Sequence, residues 1–316
     1  MEGRDRDAKV CDLPEKLRNS LATRDSVSGL KEIPDGSIHM ILSDIPYGIG
    51  AEVWDVLHDN ANSAYLGASP AQERAGAVFR TRGKPLNGWS EADRLIPLQY
   101  QKWCAEWAVE WRRVLKPGGS AVLFAGRRLA HRAVTALEDA GFTFKDMLAW
   151  KKPRAPFRAQ RIGVVYGRRG DTASADFWKG WRVGNLRPTF EPILWLVKPY
   201  TIGGTIADNM ADHGVGAFNE VAYTLYAGAP DNIIDIGFER GEAGRHPTQK
   251  PVGLMEALIS LTTNPGQVVL DPFAGSGTTL VAATRLERVY VGYEANPTYA
   301  ATAHVRLTEE QERLPV

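Results

Sequence analysis

Two cysteines in 316 residues cannot build a disulfide framework, and neither Cys11 nor Cys104 belongs to a C-x-x-C, so a cysteine-based zinc site is excluded too. The six histidines show no ligand spacing, and no metal is expected. Nowhere do apolar residues run on long enough for a membrane-spanning helix. The charged start MEGRDRDAKV has no apolar stretch behind it and predicts no signal peptide; the expectation is a soluble, reduced, cytoplasmic chain. Net charge is nearly absent: 38 Lys and Arg against 37 Asp and Glu leave +1, which argues against a uniformly basic nucleic-acid coat protein. What is present, 44% hydrophobic and 24% charged residues, is the balance of a globular chain with a sizeable core.

Short apolar runs alternate with helical periodicity. Ile38 to Leu42 predicts a strand that stops at Asp44-Ile45-Pro46-Tyr47-Gly48. Residues 48–97 are poorly periodic and read as a long loop. Over 98–115, Trp103, Trp107 and Trp111 recur at i, i+4 and i+8, a stripe assigned to the core rather than to base stacking. HRAVTALEDAGF predicts a second helix, and FKDMLAWKK and EPILWLVKP predict strands; Gly- and Asn-rich text up to Gly244 reads as loops. VGLMEALISLTT, VVLD, a helix from Thr278, VYVGYE and a last helix from Pro297 close the chain. Strands alternating with helices predict an α/β fold, a Rossmann-like, mainly parallel sheet with helices on both faces. Residues 1–25 read as a polar lead-in.

Charge is distributed unevenly. Between 151 and 190 the bases are Lys151, Lys152, Arg154, Arg158, Arg161, Arg168, Arg169, Lys179, Arg182 and Arg187, and the acids are only Asp171 and Asp176. That is an excess of eight positive charges, while the other 276 residues carry 28 bases and 35 acids. Phe157, Tyr166, Phe177, Trp178 and Trp181 lie among the charges. A charge run alone is usually a solvated face; interleaved aromatics against an acidic remainder favour phosphate and base contacts.

The string Asp271-Pro272-Phe273-Ala274-Gly275-Ser276-Gly277-Thr278-Thr279 joins an apolar strand to a helix, the corner at which open α/β sheets hold adenosine ligands. Two threonines follow Gly277, which excludes a Walker A loop, and Leu280 occupies the place of the third small residue of a dinucleotide fingerprint. Glu294 ends the next strand, where an acid can take two ribose hydroxyls. The reading is an adenosine-containing ligand without a pyrophosphate, preferred over a merely structural glycine pair.

Ser43-Asp44-Ile45-Pro46-Tyr47-Gly48 fits methyl transfer to an exocyclic base amine. Such a nitrogen is a poor nucleophile, its lone pair delocalised into the ring. A carboxylate (Asp44) and a main-chain carbonyl (Ile45) accepting its N–H bonds would draw the lone pair out, and an aromatic ring (Tyr47) could stack on a base turned out of the helix.

With these motifs the chain resembles the S-adenosylmethionine-dependent amino-group DNA methyltransferases, and the order SDIPYG before DPFAGSGTT is that of their beta group. HPTQKP at 246–251 matches the family segment ahead of the cofactor loop. The resemblance covers roughly 30–152 and 190–305. It implies Asp44, Ile45, Pro46 and Tyr47 at the reacting amine. It also implies Asp271, Phe273, Gly275, Gly277, Thr278 and Glu294 around S-adenosylmethionine, and His246, Thr248 and Lys250 near its methionine end. DNA contacts fall to Lys151, Lys152, Arg154, Arg158, Arg161, Arg168, Arg169, Arg182 and Arg187. The implied organisation is a lead-in (1–29), a catalytic half (30–152), a target-recognition region with loops (153–245) and a cofactor half (246–316). Ile45 departs from the usual Pro, but the acceptor is a main-chain carbonyl, and Pro46 still keeps residue 45 extended. An Asp at the first motif position implies adenine N6 as acceptor. Cytosine N4, RNA, and a non-catalytic DNA-binding protein of the same fold are the alternatives. Double-stranded DNA is the implied partner, with a homodimer and a cognate restriction endonuclease as further partners that the family brings.

Overall fold

The apolar runs become a buried sheet. A computed structural model describes residues 12–48, 53–59, 90–152, 155, 157, 159–242 and 249–313. The strands are β1 (Ser20–Thr23), β2 (Ile38–Asp44), β3 (Leu115–Phe124), β4 (Thr143–Lys151), β5 (Gln160–Arg161), β6 (Arg182–Val183), β7 (Phe190–Val197), β8 (Ile233–Ile234), β9 (Val268–Asp271) and β10 (Val289–Glu294). The described helices are α1 (Ser26–Leu30), α2 (Glu91–Val114), α3 (Ala130–Asp139), α4 (Ile162–Arg168), α5 (Thr172–Phe177), α6 (Ile206–His213), α7 (Glu220–Ala227), α8 (Val252–Thr262), α9 (Thr278–Arg285) and α10 (Pro297–Gln311).

Eight strands form one sheet in the order β1-β10-β9-β2-β3-β7-β4-β8, and β5 and β6 pair in a separate antiparallel hairpin. Every pairing in the large sheet is parallel except those of β7, which runs against both β3 and β4. β7 therefore begins at the edge where the parallel strands end. Both faces of the sheet are covered. Trp107 and Trp111 of α2 are fully buried against one face, and α8 and α9 pack on the other. Burying each indole contributes about 4–6 kcal/mol at ~25 cal/mol per Å².

Three readings need correction. The helix read at 98–115 begins at Glu91: Ser90 and Asp93 form a capping box, with Asp93 N donating to Ser90 Oγ at 3.1 Å and Ser90 N to Asp93 Oδ2 at 3.0 Å. Pro97 lies inside this helix and interrupts the ladder without ending it. The span up to Gly244 is not all loop, because α6 and α7 lie in it. Gly214 and Gly228, part of that Gly- and Asn-rich text, are their left-handed C-caps. The lead-in is not structureless. β1 pairs in parallel with β10, setting Thr23 opposite Glu294. Most of loop 48–97 lies outside the described residues.

Candidate active site

β9 delivers Asp271 to the sheet edge, where its Oδ1 accepts from Ser43 Oγ at 2.7 Å and from Phe273 N at 3.1 Å. Burial raises this carboxyl from its ordinary 3.8 to about 6. The loop then turns through Gly277, whose φ of +79° suits glycine, and a Cβ there would stand 2.8 Å from Ala303 Cβ on α10. Arg306 of the same helix donates to Ser276 O at 2.8 Å and Thr278 Oγ1 at 2.9 Å, tying the loop down. Glu294, at the end of β10, accepts from Gly275 N at 2.8 Å and Asn296 N at 2.7 Å; burial raises its pKa. Phe273 meets Trp103 with ring centroids 5.7 Å apart.

β2 delivers the second motif. Ile45 is buried in the core, so the position wants an apolar side chain. Tyr100 OH donates to Pro46 O at 2.9 Å, and Gly48 N donates to Asp55 Oδ1 at 2.7 Å. Tyr47 packs against Gly126, where a Cβ would come within 2.9 Å of Tyr47 Cβ. Its hydroxyl donates to Glu191 Oε2 at 3.2 Å. Lys250 Nζ donates to Asp44 Oδ2 at 2.5 Å and lies 3.4 Å from Glu191 Oε2, while Lys152 pairs with Glu191 Oε1. Among the described residues Asp44 Oδ1, though buried, has no hydrogen-bond partner. Burial raises the Asp44 pKa and Glu191 adds to the rise, with Lys250 opposing. Burial works against the Lys250 charge, yet the two carboxylates outweigh it and raise the ammonium's pKa. Glu191 is likewise opposed by burial but held below the usual carboxylate range by Lys250 and Lys152.

Both motifs open on one cavity of about 250 Å³. Asp44, Pro46, Lys250, Asp271, Phe273, Gly275, Thr278 and Glu294 line it together, whereas Ile45, Tyr47 and Gly277 of the expected set do not. His246 and Thr248 lie outside the described residues. Lys250 is in the cavity wall, and its ammonium pairs with Asp44 and Glu191. Trp103, assigned wholly to the core, also lines the cavity, as do Trp54 and, from the segment read as a lead-in, Arg24 to Ser26. Glu191 went unnoticed because the direction of its strand cannot be read from the strand's own residues.

The basic segment folds as α4, α5 and the β5–β6 hairpin. Arg161, Arg168, Arg169, Arg182 and Arg187 are exposed, and none has an ion-pair partner among the described residues. Arg182 stacks on Phe157, its guanidinium 4.5 Å from the ring centroid. Phe177 and Trp181 are 75% and 63% exposed, too much for a core role. Of the two lysines assigned to DNA, Lys152 turns inward to Glu191, while Lys151 stays exposed in a surface pair with Asp235 at 2.6 Å. Arg154 and Arg158 lie outside the described residues. Among the described residues no cluster of His, Cys, Asp and Glu is arranged to hold a metal, and no helix is long and apolar enough to cross a membrane.

An open α/β sheet with a glycine loop, an acid ending the adjacent strand and a second acidic turn on the same cleft defines a Rossmann-like methyltransferase. The N6/N4 methyltransferase family model, described as DNA methylase, matches residues 38–305, and the chain belongs to this family, whose methyl donor is S-adenosylmethionine. It is 54% identical over 277 residues to the type II methyltransferase M.HindIII of Haemophilus influenzae, covering 86% of this chain and 89% of that one. To the type II methyltransferase M.HpaI of Haemophilus parainfluenzae it is 26% identical, over 92% and 74% of the two chains. Among solved structures, the cytosine-N4-specific PvuII DNA methyltransferase superposes with a TM-score of 0.59 at 18% identity, covering 93% of this chain and 91% of that one. The M1.HpyAVI complex with S-adenosylmethionine gives 0.51 at 23%, covering 91% and 98%. At these identities the two structures speak for the fold alone.

Proposed function

We propose that the protein is a type II, site-specific DNA methyltransferase acting on adenine N6. The observation that carries the amine-methylation reading is Asp44 Oδ1, a buried acceptor with no partner among the described residues, on the cavity that also holds the glycine loop; the choice of adenine rests on Asp at the first motif position. A buried carboxylate oxygen left open is costly unless a donor arrives, and an exocyclic amine is such a donor. Ser43, the nearest hydroxyl in the motif, already donates to Asp271, which weakens a cytosine-N4 reading built on that residue.

The cavity suits the cofactor. Glu294, oriented by two backbone amides, is set to take ribose hydroxyls, and Phe273, Trp103 and Trp54 offer aromatic walls for an adenine ring. When bound, S-adenosylmethionine supplies an electrophilic methyl group on a sulfonium. The chain's own part is orientation and proton handling. Asp44 Oδ1 and the Ile45 carbonyl accept the two amine N–H bonds, turning the nitrogen lone pair toward the methyl donor. Tyr47 offers its ring to the extruded base. After transfer the amine sheds one proton, and Asp44 is the adjacent acceptor.

Residues 30–152 and 246–316 form the two halves of the catalytic body. Within 153–245 we assign target recognition to the part up to Arg187, because α7 is tied to the body by Asn219 N donating to Leu261 O at 2.8 Å. The exposed arginines there face double-stranded DNA. Its type II relatives make a cognate restriction endonuclease the natural functional partner. The reading needs one chain only, since both motifs open on one cavity.

The test is to incubate the protein with unmethylated DNA and labelled cofactor, then digest to nucleosides. N6-methyladenine is expected. N4-methylcytosine alone, or label only in RNA offered alongside, would overturn the assignment.

A further inference from the structure

We propose that Glu191 is a positioning residue for methyl transfer, holding Tyr47 directly and Asp44 through Lys250. This rests on the function proposed above and adds to it a residue from outside both motifs.

Glu191 sits near the start of β7, paired with Trp150 of β4. Because β7 alone runs backwards, its first residues reach the edge where β2 ends, and a side chain there is fixed by strands on both sides. Each carboxylate oxygen is engaged. Oε2 accepts from Tyr47 OH at 3.2 Å and lies 3.4 Å from Lys250 Nζ, and Oε1 pairs with Lys152. Lys250, with a side chain only 3% exposed, reaches from Glu191 to Asp44 Oδ2.

Two carboxylates and two ammoniums balance in this cluster, and the division of contacts decides the chemistry. Lys250 clamps Asp44 by Oδ2, so Oδ1 is the oxygen left for the amine. Glu191 holds Lys250 from the other side and fixes the plane of the Asp44 carboxylate. The same Glu191 oxygen accepts from the Tyr47 hydroxyl, which also interacts with the Asp44 carboxylate, while Gly126 supports that residue from behind. One side chain thus registers the N–H acceptor and the stacking ring to each other. None of the three contacts of Glu191 reaches the 271–279 loop, so its effect belongs to the chemical step rather than to cofactor binding.

The experiment compares wild type, Glu191→Gln and Glu191→Ala on unmethylated phage DNA, measuring kcat, KM for DNA and S-adenosylmethionine affinity by calorimetry. Gln keeps the volume and an acceptor for Tyr47 while removing the charge, so it serves even if the Ala variant fails to fold. The expected result is a fall in kcat of about 10- to 100-fold in Glu191→Gln, with KM and cofactor Kd within about threefold of wild type. Adding Tyr47→Phe to Glu191→Ala should cost less than Tyr47→Phe costs in wild type, because the shared contact is already gone. A Glu191→Gln enzyme with wild-type kcat, or one whose cofactor affinity falls in step with kcat, overturns the inference. A wild type that methylates no DNA overturns the proposed function, and this inference with it.

Discussion

Lys250 Nζ lies 2.5 Å from Asp44 Oδ2, joining residues 206 positions apart in the chain. The segment before the cofactor loop thereby grips the acid of the other motif. One oxygen of Asp44 is occupied by this contact, and the other has no hydrogen-bond partner among the described residues.

Asp44→Ala should lower methyl transfer by about 10³-fold or more, since the lost acceptor acts in the transition state. Cofactor affinity should hold, because Glu294 and Phe273 are untouched. Single-turnover transfer and calorimetry measure the two; an Asp44→Ala protein with near-wild-type transfer would remove Asp44 from the mechanism.

Lys250→Met should destabilise the fold by about 3–5 kcal/mol, because it leaves the buried Asp44 and Glu191 carboxylates without their shared cation. Urea unfolding measures it. Lys250→Met combined with Glu191→Gln should recover part of the loss, since one stranded charge is removed.

Asp271 sets a pH dependence. Burial raises its carboxyl from 3.8 to about 6, so the native state binds this proton more tightly than the unfolded one. Its contribution to stability therefore falls as pH rises from about 4 to about 6, and the full cost of the buried charge is present above that. Asp271→Asn keeps an oxygen to accept from Ser43 and Phe273 and cannot ionise. Relative to wild type, its melting temperature should be higher at pH 8 than at pH 5. An equal offset at both pH values would place the cost elsewhere.

Replacing Arg161, Arg168, Arg169, Arg182 or Arg187 by Ala should weaken DNA binding and leave cofactor affinity unchanged. Each phosphate-contacting arginine removed should lessen the slope of log K against log salt by about 1. Fluorescence anisotropy across a salt series checks this, and salt-insensitive binding would move the DNA interface off this face. Lys152→Ala should instead damage the Glu191 cluster, with an effect on turnover.

Gly277→Ala should cost about 1–3 kcal/mol and weaken cofactor binding, because φ is +79° and the new Cβ would press on Ala303 at 2.8 Å. Thermal melts with and without S-adenosylmethionine report both losses.

The elements that local chemistry specifies were legible. Apolar runs bounded by turn residues gave strands, and the tryptophan stripe gave a core helix. Where the reading missed, a short-range signal was outvoted. Ser90 and Asp93 start α2 ahead of Pro97, and Gly214 and Gly228 close helices that their own composition disguised as loop. The aromatics Phe177 and Trp181, read among the charges as a possible contact surface, stand exposed rather than in the core.

By itself the sequence determined the chemistry on offer: an acidic turn for an amine, a glycine loop with a distant acid for an adenosyl ligand, and a basic aromatic segment for DNA. Each lies within a short stretch of chain, where spacing carries the information. Tertiary structure alone decided that Lys250 pairs with Asp44, that Lys152 turns inward, that Arg24 joins the cavity wall, and that Glu191 meets both Tyr47 and Lys250. These depend on strand order and on the reversed direction of β7, which follow from how the sheet closes its core rather than from any local pattern.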